Sequence, residues 1–169
     1  SIQEPQTVRN IQTLENNKLL VEYDTVSGEL LFARLKNYPT SIGSDDKIVI
    51  LDYNSRGYTA SSSIQVKDQK VTPLYAIADR LSGGVKLSST NLNDILLTKE
   101  IKLLEDTHQI SVKNIITNKS SQDIYVRNYE VISRDNNNSA SIMLPTYTGS
   151  AYYDSEEKFS KISFDDMLD

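Results

Sequence analysis

The 169-residue chain contains no cysteine and no tryptophan, and it has a single histidine. Without cysteine there is no disulfide scaffold, thiolate zinc site, iron–sulfur cluster or thiol nucleophile. One histidine excludes a multi-histidine metal centre. Glycine and proline are scarce, at 6 and 4 residues. No apolar run approaches the ~18 residues of a membrane-spanning helix. No basic stretch leads into an apolar core at the start, so no signal peptide is expected. A net charge of −5 argues against a protein that tracks nucleic-acid phosphates. No Gly-x-Ser-x-Gly elbow is present, and Ser82-Gly83-Gly84 lacks the spacing and the lysine of a phosphate loop.

Ser, Thr and Asn make up over a quarter of the residues, and there are 10 tyrosines. Such residues favour turns, caps and strands over helix interiors. The expectation is an all-β, antiparallel domain with long polar loops. Residues 1–17 are polar and lack a sustained period, so they read as a flexible tail before a domain at 18–169. Leu19, Val21 and Tyr23 alternate onto one face, Ser27-Gly28 turns the chain, and Leu30–Leu35 returns as the second arm of a hairpin. Ile48–Leu51 is continuously apolar, as in a strand buried on both faces. Residues 61–70 suit an exposed strand around Ile64 and Val66. Residues 73–80 fit a strand and a short helical turn equally. Residues 95–132 carry the clearest two-fold pattern. Leu97, Ile101 and Leu103 share a face, Ile110, Val112 and Ile116 follow, and Ile124–Ile132 runs back. Three adjacent strands of a meander are expected, the third between two packed layers. Asp154 with Glu157 three residues later resembles a capping box and predicts a short helix over 154–161.

Two segments resemble a known family. One carries Asp24-Thr25, Gly28-Glu29-Leu30, Ala33, Leu35 and Tyr38-Pro39. The other carries Thr146, Gly149, Ala151-Tyr152, Glu157-Lys158, Lys161 and Phe164-Asp165. Thr98-Lys99-Glu100-Ile101 and Ile110–Asn118 agree in kind between them. This pattern resembles the large periplasmic domain of the bacterial membrane protein insertase YidC. The resemblance implies a β-supersandwich similar to galactose mutarotase, lying on the periplasmic face of the inner membrane. The parent would be a multi-pass inner-membrane protein, and the chain an excised soluble piece of it without the transmembrane helices. It further implies a non-catalytic role with no cofactor, assisting insertion and folding of membrane proteins. The implied partners are the Sec accessory subunits SecD and SecF, with nascent membrane proteins as further contacts. Carried over by motif, the partner surface would include Gly149, Ala151, Tyr152, Glu157, Lys158, Lys161, Phe164 and Asp165.

Two other functions remain open on the residues. A cleft between curved sheets suits a peptide or a carbohydrate, and an open sheet edge suits strand addition. A mutarotase-like sugar enzyme needs a general acid and base. The one histidine, His108, follows Glu105-Asp106 in an expected turn, where exposure is the default. The carboxylates at Asp45-Asp46, Asp135 and Asp165-Asp166 lack the spacing of a calcium loop and read as solvated loop charge. Tyr147, Tyr152, Tyr153 and Phe159 suit a partner surface or the packing of the expected helix, with Tyr152 and Phe159 then facing the sheet.

Overall fold

The computed structural model describes residues 8–134, 149–156 and 158–163. These fall into two compact units, divided between Arg134 and Asp135. The first unit runs β1 (Ile11–Glu15), β2 (Leu19–Asp24), β3 (Leu30–Pro39), β4 (Lys47–Asp52), one helical turn α1 (Tyr53–Arg56), then β5 (Thr59–Val66) and β6 (Gln69–Val71). It continues through β7 (Tyr75–Leu81), β8 (Gly84–Ser89), β9 (Ile95–Leu103), β10 (Ile110–Asn118) and β11 (Val126–Ser133). The second unit is a hairpin of β12 (Gly149–Asp154) and β13 (Lys158–Ser163).

The first unit is an antiparallel two-sheet fold. Its larger sheet has the order β1-β2-β3-β5-β11, with β4 added on β3 and β6 on β5; the smaller has the order β10-β9-β8-β7. Alternating side chains from both sheets meet in one core. Leu19, Val21, Tyr23, Ala33 and Ile64 come from the larger sheet, and Val85, Leu87, Leu97 and Ile101 from the smaller. Each buried Val, Leu or Ile side chain among them contributes about 1.5–3 kcal/mol by leaving water. The expected hairpin of residues 19–35 is present, with Leu19 opposite Leu35 and Val21 opposite Ala33. The two-residue turn Ser82-Gly83 joins β7 to β8, pairing Leu81 with Gly84, and Gly83 supplies the positive φ such a turn needs.

Several local expectations are corrected. Residues 11–15 are a strand rather than tail, since β1 pairs with β2 from Ile11 opposite Asp24 to Glu15 opposite Leu20. An outer strand that buries only Leu14 leaves little apolar periodicity to read. Ile48 and Ile50 are exposed, so β4 is not buried on both faces; only Leu51 of that run is buried. Residues 75–81 are a strand, because β8 supplies the hydrogen bonds that a helical turn would have to make internally. Ile64 is buried, although its stretch suggested an exposed strand.

The meander of three strands is also overturned. β9 and β10 pair as expected, but β11 crosses to the other sheet and pairs with β5, from Val126 opposite Val66 to Ser133 opposite Thr59. It is the last strand of that sheet's path, and Tyr129, Val131 and Ile132 are exposed, so it is not a central strand between packed layers. The polar connection 119–125 is long enough to change sheets, as connections at the corners of sandwiches do. The short C-terminal helix over 154–161 is not formed: residues 149–154 and 158–163 are the paired strands β12 and β13, and Ser155-Glu156 lie in a turn. Asp154, the expected cap, instead ends β12 and leads into a turn. The flanking Tyr152-Tyr153 and Phe159 prefer strands, and two helical turns alone would be too short to hold.

Candidate functional site

Five of the eight expected partner residues lie on the C-terminal hairpin. Gly149, Ala151 and Tyr152 are on β12, and Lys158 and Lys161 on β13; Glu157, Phe164 and Asp165 lie outside the described residues. Cross-strand partners share a face. Ala151 faces Lys161 and Tyr153 faces Phe159, whereas Tyr152 pairs with Ser160 on the opposite face. Tyr153 and Phe159 are 70% and 62% exposed, and Lys161 Nζ lies 5.8 Å from the centre of the Phe159 ring. Lys158 takes a positive φ and donates from Nζ to the Ser155 carbonyl at 3.1 Å. The hairpin therefore presents an aromatic strip beside cationic groups, the composition of a protein-contact surface.

The first unit holds a second constellation, at the Asp24–Leu30 motif. Asp24 is buried and organises the β2–β3 turn. Its carboxylate accepts from Asn10 N and Val26 N, both at 3.0 Å, and from Ser27 Oγ at 2.9 Å. Gly28 closes the turn at φ +70°, donating to the Asp24 carbonyl at 2.8 Å. The missing side chain at Gly28 leaves the space that Lys99 of β9 fills. Lys99 is 1% exposed. Its Nζ donates to the Gly28 carbonyl at 3.1 Å and lies 5.5 Å from the Tyr75 ring centre. Burial, opposed only partly by Glu130 and Glu29 at a distance, lowers its pKa to about 8. Burial likewise pushes the Tyr75 phenol up to about 12, so it stays neutral.

Lys99 lines a cavity of about 190 Å³ between the sheets, walled by Leu30, Ala60, Val112, Val131 and Ile132, with Glu130 among its lining. The Glu130 carboxylate is held by three donors: Asn114 Nδ2 at 2.8 Å, Asn128 Nδ2 at 2.9 Å and Ser62 Oγ at 2.9 Å. Asn114 belongs to β10 and Ser62 to β5, so the contact ties the two sheets together. Lys99 and Glu130 were missed as site residues. A signal for Lys99 existed, because the two-fold period that puts Leu97 and Ile101 inward puts Lys99 inward with them.

The remaining candidates are dispersed. His108 is exposed in the turn after β9, its ring edge-on to Tyr38 at 5.4 Å. Among the described residues no three His, Cys, Asp or Glu side chains gather as a metal site.

Residues 12–169 match the family model of the YidC periplasmic domain. The chain belongs to the YidC periplasmic domain family. Its setting is thus the periplasmic face of the inner membrane, and no helix among the described residues is long and apolar enough to cross a membrane. It is similar to the membrane protein insertase YidC of Haemophilus influenzae, 29% identical over 182 residues that cover 100% of this chain and 34% of the relative. The insertase YidC of Shewanella piezotolerans is 26% identical, over 98% of this chain and 34% of its own length. That of Haemophilus ducreyi is 27% identical, over 99% and 33%. The chain spans about a third of the length of these relatives.

Proposed function

We propose that this YidC periplasmic domain is a non-catalytic docking module of a membrane protein insertase, and that its C-terminal hairpin contacts the accessory subunits SecD and SecF. The observation that carries the reading is the strip of Tyr153, Phe159 and Lys161 on one face of β12–β13, whose two rings stand largely in solvent. Large exposed aromatics beside cations are typical anchors of protein interfaces. The expected partner residues Gly149, Ala151, Tyr152, Lys158 and Lys161 share this hairpin. Insertion itself belongs to other parts of the parent, and this domain contributes attachment. The non-catalytic reading draws on the exposed turn position of His108, which suits surface solvation better than proton transfer within a cleft.

The test is capture of purified SecDF by the immobilised chain. Wild type should retain it. Reversing the charges at Glu157 and Lys158, or changing both Tyr153 and Phe159 to Ser, should release it. Unchanged retention in both variants would remove the hairpin from the interface. A pull-down from detergent-solubilised inner membrane that recovers no Sec component would argue for a structural role in the parent instead.

A second reading is favoured by the flank of the first unit at which, among the described residues, both sheets end. β11 ends one sheet path and β10 the other, and Val112, Ile116, Tyr129 and Val131 are exposed there. An extended peptide adding a strand to β11 would use unpaired backbone groups and apolar side chains together. Titration with extended apolar peptides checks it, and the absence of a saturable signal in the millimolar range would count against it.

A further inference from the structure

A buried lysine ordinarily meets a carboxylate, because an ammonium group taken from water without a counter-charge costs several kcal/mol. Among the described residues Lys99 has none within ion-pair distance, in contrast to the pairs Arg9–Glu29, Lys36–Glu15 and Lys86–Glu100. Its recorded hydrogen bond is to a neutral carbonyl, that of Gly28, which leaves capacity on a group with three donors. Lys99 is also among the residues that line the largely apolar pocket between the sheets. With about 190 Å³, that cavity has room for about six waters, or for one small organic group.

We propose that this cavity binds a carboxylate carried on a short apolar body, with Lys99 as the charge partner and Leu30, Ala60, Val112 and Ile132 around the body. Glu130 sets the selectivity. Its carboxylate is pinned in the lining by Asn114, Asn128 and Ser62 and repels a second negative charge, so a monoanion is accepted and a phosphate or dicarboxylate is disfavoured. Two sources share this chemistry: the C-terminal residue of an apolar peptide and a short fatty acid. Neither reading above depends on this site.

The experiment is isothermal titration of the chain with N-acetyl-leucine, N-acetyl-leucinamide, hexanoate and succinate, at about pH 6.5, below the Lys99 pKa of about 8. At least one of the two monocarboxylates should bind saturably in the millimolar range, and the amide and succinate should not. Tighter binding of N-acetyl-leucine assigns a peptide end, and tighter binding of hexanoate a fatty acid. Lys99→Met should lose the affinity by tenfold or more. Glu130→Gln, which keeps an oxygen acceptor for its neighbours, should tighten the monocarboxylate several-fold and admit succinate. Affinity should fall as the pH rises past about 8 and the Lys99 ammonium is lost. The groups that bear on this titration are Glu130 and Glu29, which favour the charged lysine, and Tyr75, neutral throughout that range. Equal binding of acid and amide, or no binding of either acid, overturns the proposal. Should Lys99→Met not fold, the acid–amide pair and Glu130→Gln still decide it.

Discussion

Gly28 and Lys99 depend on each other's shape. A Cβ built on Gly28 would stand 3.1 Å from Lys99 Nζ and 3.2 Å from its Cδ, while that same Nζ donates to the Gly28 carbonyl. The turn residue has no side chain at the one place where the lysine lies.

Gly28→Ala should therefore destabilise the fold by more than its backbone strain. Alanine at φ +70° costs about 1 kcal/mol, and displacing Lys99 adds to it, for a total of about 2–3 kcal/mol. Gly57 supplies the control: its φ is +67° and nothing lies within 4 Å of its Cβ position. Gly57→Ala should lose only about 1 kcal/mol. Urea unfolding of both variants measures the difference.

Stability should rise with pH in the alkaline range because of Lys99. Its folded pKa is about 8, below the ordinary 10.5, so between these values the unfolded chain binds more protons than the folded one. The penalty is fully present below about pH 8 and is relieved as the pH climbs through about 10.5, a gain on the order of 3 kcal/mol. Lys99→Met should abolish that rise and be more stable than wild type at neutral pH. Urea midpoints of the two proteins across this range check it, their difference cancelling the tyrosines.

Asp24→Ala should cost about 1–3 kcal/mol, because it orphans partly buried backbone donors as well as removing the turn's cap. Asn10 N and Val26 N both lose their acceptor. Asp24→Asn keeps one oxygen for them and should cost less. Thermal unfolding of the pair separates the loss of charge from the loss of the acceptor.

Gly84→Ala should be the most damaging glycine substitution. Its Cβ would run into the carbonyl oxygen of Ile101 and lie 3.0 Å from Lys102 Cα, both backbone atoms of the neighbouring strand β9. Separating β8 from β9 opens the centre of the smaller sheet, at a cost of about 3 kcal/mol or more. Loss of soluble protein, or a sharply lowered unfolding midpoint, is the expected readout.

Much of the architecture can be read along the chain. Leu19, Val21 and Tyr23 alternate and are all buried, Ser27-Gly28 turns them into β3, and Leu97, Ile101 and Leu103 face inward together. The family, too, was visible in motif residues now seen to have structural work. Asp24 and Gly28 shape one turn, and Ala151 and Lys161 sit opposite each other on the hairpin. Less visible was anything resting on a single side chain, such as β1 with Leu14 alone buried.

Alternation along a strand follows from local backbone geometry, so the inward and outward sets of β2, β3 and β9 were decided by residue order itself. Which strand lies alongside is a matter of distant partners. β11 could satisfy its backbone against β10 or β5, and the crossing to β5 is a choice of the assembled sandwich. The same holds for the strands at 149–163 in place of a helix, where cross-strand bonds outweighed a local cap. It holds most plainly for Lys99, whose inward position is a consequence of period two. Its lack of a salt-bridging carboxylate among the described residues, beside Gly28 and an apolar pocket, arises only where the sheets meet, because burial and its electrostatic cost depend on what covers a residue.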